Sequence, residues 1–317
     1  MKKLLIHIII SISFLIIFSI TNYSYAFSKK NNSYSDTVRI KNDLYKITKT
    51  FDSRYYKNVK TLDSVAEYIF NELKKTCDTV YFQPFLVDGK IYKNVIGVLG
   101  IKNTERIVVG AHYDVAYIQE GADDNASGLV GLLELSRLLS KEKLTNRIDF
   151  VAFTLEEPPY FDTENMGSFI HAKYLSDNNI KIKGMICLEM IGYYSDKPHS
   201  QQYPLGFLKL FYGTKADFIT VVQKFGNGKF GRKVKRLMKR QKLIKTKSFK
   251  APSFVSGIDL SDHLNYWKFN FKAIMITNTS FYRNNNYHEA TDKMETLDIK
   301  RMGLVIDEIF LTVKELY

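Results

Sequence analysis

Residues 107–139, IVVGAHYDVAYIQEGADDNASGLVGLLELSRLL, constrain the fold more than any other stretch of this chain. The apolar run 107–109 suits a buried strand; His112 and Asp114 follow it, then a loop with Asp123, Asp124 and Asn125, then a leucine-rich segment with apolar residues at helical spacing. Neither a buried strand nor an amphipathic helix can cover its apolar face alone, so such a unit must stack against others of its kind. Imidazole and carboxylate groups at the carboxyl end of a strand in an α/β sheet stand in the crevice where these folds bind ligands.

The flanking sequence supplies more units. Residues 59–75 carry Leu62, Val65, Ala66, Ile69, Phe70 and Leu73 at helical spacing. Strand-like runs at 79–87 and 91–99 are separated by Asp88-Gly89, the turn signal of a hairpin. Further strands are expected at 148–155, 182–190 and 271–277, and helices at 167–175 and 296–313. The alternation predicts an α/β single domain over 38–317: a mostly parallel twisted central sheet with an antiparallel edge hairpin and helices on both faces. Residues 230–247 are dominated by lysine and arginine. We read them as an amphipathic helix with a solvated basic side and Val234, Leu237 and Met238 facing in; the alternative is an anion-binding face.

A chain of 317 residues with 45% hydrophobic and 25% charged residues has the composition of one large globular domain. The net charge of +13 brings nucleic acid and membrane surfaces to mind, but no nucleic-acid motif accompanies it, and we expect no nucleic-acid partner. Residues 1–26 have the layout of a secretory signal peptide: Lys2 and Lys3, an apolar run 4–20, then a polar stretch closing on the small residues Ser24 and Ala26. Cleavage after Ala26 is expected, giving an exported, periplasmic or secreted protein without stable membrane insertion; the alternative is a retained anchor. Residues 27–37 read as a flexible lead-in. The two cysteines, Cys77 and Cys187, do not form a disulfide framework, and Cys187 reads as a buried small hydrophobe.

Candidate ligands for a divalent ion stand at several strand ends: His112 and Asp124, the pair Glu156 and Glu157, Glu189, and His288 in YHEATD. Singly, each has an ordinary structural reading. Together they differ, because Glu156, Glu157 and Glu189 directly follow apolar strands, where ionised side chains are costly unless paired or metal-bound.

The ordered motifs HYD, GADDNASG, LEEP, LEMIG and SDH…YH resemble those of the co-catalytic zinc aminopeptidases, metallopeptidase family 28, from about residue 59 to the carboxyl terminus. The resemblance implies two zinc ions per chain bridged by Asp124, with His112 and Glu189 completing one site and Glu157 and His288 the other. It further implies Glu156 as general base, Asp114 as the partner that orients His112, and a cis Asp124-Asn125 peptide bond. Two ions ~3.5–4 Å apart would lower the pKa of a shared water, and Glu156 would carry its proton to the leaving amine of a peptide substrate with a free amino terminus. Near Ser127 a helix start would favour the ionised Asp124.

Three departures from the family pattern stand out. A long loop, 158–166, is expected to line the pocket; Glu189 stands where Asp is frequent; and Asp259, Asp262 and His263 fall near the site by analogy, in what we read as a supporting loop rather than a further ligand. Arg283 and Tyr287 either touch substrate or pack. Two other functions remain open: a glutaminyl cyclase, which shares the fold with a single zinc, and a metal-free binding ectodomain. The oligomeric state is not legible.

Overall fold

The structure is a computed structural model that describes residues 33–316 apart from 227, 253, 254 and 256; the segment read as a signal peptide and most of the expected lead-in lie outside the described residues. Helix α1 (Thr37–Lys49) comes first, capped by Asp36, whose carboxylate accepts from the amides of Val38 and Arg39. The last residues expected to be flexible are tied down instead: the Ser35 amide donates to Asp307 (2.7 Å) and the Asp36 amide to Glu134 (2.9 Å). Helix α2 (Val59–Lys74) precedes the hairpin β1 (Thr79–Val87) and β2 (Lys90–Leu99). Then come β3 (Arg106–His112), α3 (Gly128–Leu139), β4 (Arg147–Phe153), α4 (Gly167–Asp177) and β5 (Gly184–Glu189). A short helix α5 (Lys209–Tyr212), β6 (Phe218–Lys224), α6 (Gly228–Gln241), β7 (Lys245–Ala251), α7 (His263–Lys268), β8 (Ala273–Thr277) and α8 (Ile299–Glu315) complete the order.

These strands form one eight-stranded mixed sheet in the order β1-β2-β4-β3-β5-β8-β6-β7. The centre, β4-β3-β5-β8, is parallel. The hairpin joins it antiparallel through β2 and β4, as expected at one edge. At the other edge the sheet is less parallel than the sequence suggested, because β6 runs antiparallel to β8 and carries β7 parallel to itself.

Side chains alternate across the sheet with a period of two. Ile107, Val109, Ile148, Phe150, Ile186 and Leu188 enter one core with α1, α2, α3, α6 and α8; Val108, Val151, Phe153, Met185 and Cys187 enter the other with α4 and α7. Cys77 and Cys187 are free thiols. The basic segment is an amphipathic helix only to Gln241, with Phe230, Val234, Leu237 and Met238 buried; its tail belongs to β7. No helix among the described residues is long and apolar enough to cross a membrane.

Because the central strands are parallel, their carboxyl ends emerge at one edge of the sheet. There the chain delivers His112 from β3, the segment after β4, and Glu189 from β5.

Candidate metal centre

Each ligand candidate sits where a regular element stops. His112 is the last residue of β3 and Glu189 the last of β5. Glu156 and Glu157 follow β4 after Leu155, and the turns that aim these groups use left-handed backbone at Leu155 (φ 58°), Met190 (φ 49°) and His288 itself (φ 59°). Such conformations in branched or bulky residues persist only where the surroundings over-determine them, and they gather at functional sites. Asp123, Asp124 and Asn125 lie in a buried turn, Ala122–Ser127, and the Asp124-Asn125 peptide bond is cis.

Asp124 stands at the centre. Its Oδ1 lies 3.4 Å from His112 Nε2 and its Oδ2 3.2 Å from His288 Nε2. His112 Nε2 is also 3.4 Å from Glu189 Oε2 and 3.8 Å from Glu156 Oε2, while His288 Nε2 is 3.1 Å from Glu157 Oε2. Two clusters have donor atoms close enough to share an ion, His112 with Glu156 and Glu189, and His112 with Asp124 and Glu157; His288 reaches the second through its contacts to Asp124 and Glu157. Asp124 Oδ2, Glu157 Oε1 and His288 Nε2 are buried without a hydrogen-bond partner. Atoms that converge at 3.1–3.4 Å without hydrogen-bonding one another are arranged as ligands are around a cation.

The electrostatics agree. Burial pushes the Glu156 carboxyl well above the ordinary range; His112 opposes this, and the charges of Glu157 and Glu189 add to it. Glu157 is pushed up to about 8, again chiefly by burial, with Asp124 adding. Burial would raise Asp124 as well, but the two histidines outweigh it and hold that carboxyl below the ordinary range. So many buried carboxylates facing two imidazoles need further positive charge, and the donor set of carboxylate oxygen and imidazole nitrogen fits zinc.

Residues that do not converge on this point hold those that do. Asp114 sits with Oδ1 3.5 Å from His112 Nδ1, and its carboxylate accepts the backbone amides of Glu156 (3.3 Å) and Glu157 (3.1 Å), so one side chain fixes both the ring and the glutamate pair. Asn125 turns inward: its Nδ2 donates to Leu188 O (2.9 Å), and its Oδ1 accepts the amides of Met190 and Gly128 (3.0 Å each). The first amide of α3 is therefore capped by Asn125 rather than aimed at Asp124. A Cβ at Gly128 would lie 2.3 Å from that same Oδ1, which is why the helix opens on glycine. Asp123 accepts from the Gly192 amide (2.9 Å) and from the side chains of Asn278 and Asn284 (2.8 Å each), a structural neighbour of Asp124.

Three further residues support the site; Ser261 and Asp292 stand in the SDH and YHEATD motifs, and only Arg54 stands in none. Arg54 is fully buried and donates to the carbonyls of Tyr113 (2.7 Å), Glu120 (2.8 Å), Gly121 (2.9 Å) and Ile47 (3.2 Å), clamping the loop between His112 and Asp124. Asp292 accepts the amides of Asp123 and Asp124 at 3.0 Å each. Ser261 donates to Glu189 Oε2 at 2.7 Å. Apart from Ile47, their partners are 59 or more residues away along the chain.

A pocket of about 890 Å³, its open mouth included, leads away from the carboxylates. Asp124, Glu156, Glu157 and Glu189 close one end; Phe218, Val222, Phe249, Leu260 and Met275 line the body, with Tyr203, Tyr212, Tyr282 and Tyr287 around it. One expectation changes here, and one open alternative is decided. None of residues 158–166 lines it, because the wall is built by the segments around 201–212 and 275–287. Arg283 is buried against Gln201 Oε1 (2.9 Å) and Phe218 O (2.8 Å), so it shapes the wall and does not face a substrate. Tyr287 does line the pocket, and its ring stacks on His288 at 3.8 Å between centroids. His263 donates from Nε2 to Ile258 O (2.6 Å) and packs edge-on against Trp267, as a supporting loop requires; Asp262 is buried beside it and Asp259 half-buried.

The model of peptidase family M28 matches residues 94–313. The chain belongs to this family. It is 40% identical over 252 residues to the uncharacterized protein YfbL of Escherichia coli (strain K12), covering 77% of each chain. It is 26% identical over 259 residues to a probable leucine aminopeptidase of Arthroderma benhamiae (strain ATCC MYA-4681 / CBS 112371), covering 75% of this chain and 60% of that relative. Among solved structures it is similar in fold to the LapA aminopeptidase of Legionella pneumophila (TM-score 0.69, 17% identity, 88% of this chain and 71% of that one). The glutaminyl cyclase of Tannerella forsythia has the same fold (TM-score 0.67, 19% identity, 88% and 98%). The family and the aminopeptidase relatives support a hydrolase of the metallopeptidase type.

Proposed function

We propose that this M28 member is an exported aminopeptidase that works with two zinc ions. One observation carries the two-ion reading: the two oxygens of Asp124 face different imidazoles, Oδ1 toward His112 and Oδ2 toward His288, each with its own glutamate alongside. His112, Asp124 and Glu189 would hold one ion, and Asp124, Glu157 and His288 the other. Bound there, the ions supply Lewis acidity, lowering the pKa of a water and polarising the scissile carbonyl.

The protein's own groups do the rest. Glu156 lies within 3.8 Å of the His112 ring without being needed as a ligand, and is placed to take the attacking water's proton and pass it to the leaving nitrogen. Asp114 keeps His112 and the glutamate pair in register through one carboxylate. The carboxylates that close the pocket suit the ammonium of a free amino terminus, and the apolar body beyond them suits an uncharged, bulky terminal side chain. The likeness to aminopeptidases and the complete set of ligand candidates both favour this over a metal-free ectodomain. Export rests on the charged, apolar and small-residue layout of residues 1–26.

The test is a panel of aminoacyl peptides, glutaminyl ones included, with zinc quantified in the same sample. Release of free amino acids with two zinc ions per chain is the expected result. Pyroglutamate formation with one zinc would replace this reading by the cyclase.

A further inference from the structure

The segment that forms the outer wall of the pocket has a second face. Leu208 and Tyr212 point into the pocket, whereas Leu205, Phe207, Leu210 and Phe211 are 53–79% exposed. Phe207, Leu210 and Phe211 fall at i, i+3 and i+4, so they share one side of the short helical stretch formed by Gly206–Leu208 and α5. Clusters of large apolar side chains of this kind on a folded surface mark an interaction site.

The surroundings say which kind. A cleft beside the patch is lined by Phe207, Phe211, Lys239 of α6 and Lys247 of β7, so aromatic and basic side chains border the same hollow. Along α6, Arg232, Arg236 and Lys239 are exposed on the ridge that continues from this cleft, and Lys209 is exposed within the patch itself. Aromatic and leucine side chains surrounded by lysine and arginine are the surface of a helix that lies in a bilayer interface, with the apolar groups entering the acyl boundary and the cations meeting anionic headgroups. A second copy of the chain is a poor occupant, because pairing the patch with itself would set these cations against one another.

We propose that this face, the 205–211 patch with the basic ridge of α6, docks the protein on an anionic lipid bilayer. The docked orientation sets the wall of the pocket against the membrane, where peptide termini presented at that surface reach the site.

The test compares vesicles of phosphatidylcholine alone with vesicles that also contain phosphatidylglycerol. It uses the full chain and, in parallel, a chain beginning at Phe27. Both forms should partition onto the anionic vesicles, the Phe27 form at least about tenfold more strongly than onto neutral ones, and salt should weaken this. L205S/F207S/L210S/F211S should lower that partitioning at least about tenfold. Arg236→Glu with Lys239→Glu should abolish the preference for anionic lipid. If the apolar quadruple variant does not fold, Leu210→Trp gives an independent reading: its emission should shift to the blue on anionic vesicles, since the native Trp267 is already buried. Binding by the full chain alone would assign the membrane contact to residues 4–20 and overturn the proposal. So would unchanged binding by the quadruple variant, or loss of a stable dimer as its only effect.

Discussion

Replacing Arg54 with methionine should destabilise the protein by about 3 kcal/mol and weaken metal binding, although Arg54 touches none of the ligand candidates. The guanidinium is 2% exposed and donates to four carbonyls of the loop and helix around it, three of them at 2.9 Å or less. Methionine fills much of the space of the aliphatic stem, so the loss lies in hydrogen bonds rather than in a cavity. A buried carbonyl stripped of its donor costs about 1–3 kcal/mol, which puts the gross loss from the three short bonds near 6 kcal/mol. Against this stands the relief of removing a cation whose burial pulls its pKa from 12.5 down to about 10, a penalty of roughly 3 kcal/mol. The remaining ~3 kcal/mol is a large fraction of a typical total of about 5–15 kcal/mol. Urea unfolding of the chelated protein, followed by Trp267 fluorescence, should show the midpoint falling by about 1 M at a slope near 3 kcal/mol/M. Zinc titration should then show weaker binding, because Tyr113 and Gly121 connect His112 to Asp124. A midpoint within about 0.3 M of the parent's would refute the clamp.

Two further outcomes follow from the site and the core. His288→Ala should leave about one zinc ion per chain by mass spectrometry of the metal-loaded protein, since the half built by His112 and Glu189 survives; retention of two would remove His288 from the ligand set. His263 is buried with its pKa lowered to about 4, chiefly by burial, against 6.5 unfolded. A depressed folded pKa means that its contribution is present above about 6.5 and is lost as pH falls toward 4, so between pH 7 and 5 the parent should lose roughly 2 kcal/mol more stability than His263→Asn. Parallel stability profiles for the two would contradict this.

The strands that carry ligands were legible because burial on both faces writes them as continuous apolar runs, and the acidic group that ends each run is conspicuous. The hairpin was legible through Asp88-Gly89, whose residues both take positive φ. Helix α1 was not, because its buried Ile40, Leu44 and Ile47 are thinly spread among lysines and a serine-rich lead-in precedes it. β7 was hidden for a related reason: KTKSFKA is an edge strand that buries only Ala251, and Phe249 with Ala251 is too little apolar sequence to announce it, so its lysines were counted with the helix before it. At the site, the residues whose atoms converge on the centre were readable from motif order. Arg54 was not, since a clamp made through backbone carbonyls leaves no side-chain pattern in sequence; Asp292 and Ser261 stood in quoted motifs, but nothing there told what they hold. Motif order reads Asp123 and Asn125 as neighbours of Asp124, and their hydrogen bonds fit that: Asp123 is held by Gly192, Asn278 and Asn284, and Asn125 by Leu188, Met190 and Gly128, with a further bond to Glu189 (3.3 Å).

The central claim, that Glu156 moves the proton while other groups hold the metal, meets its most direct test in Glu156→Gln. The substitution keeps the size of the side chain and removes its basicity. Zinc content and turnover of an aminoacyl peptide, measured on one preparation, should show two ions retained per chain and kcat reduced by about 10²-fold or more. Near-parental kcat with zinc in place would contradict the account, and loss of zinc together with activity would make Glu156 a ligand instead.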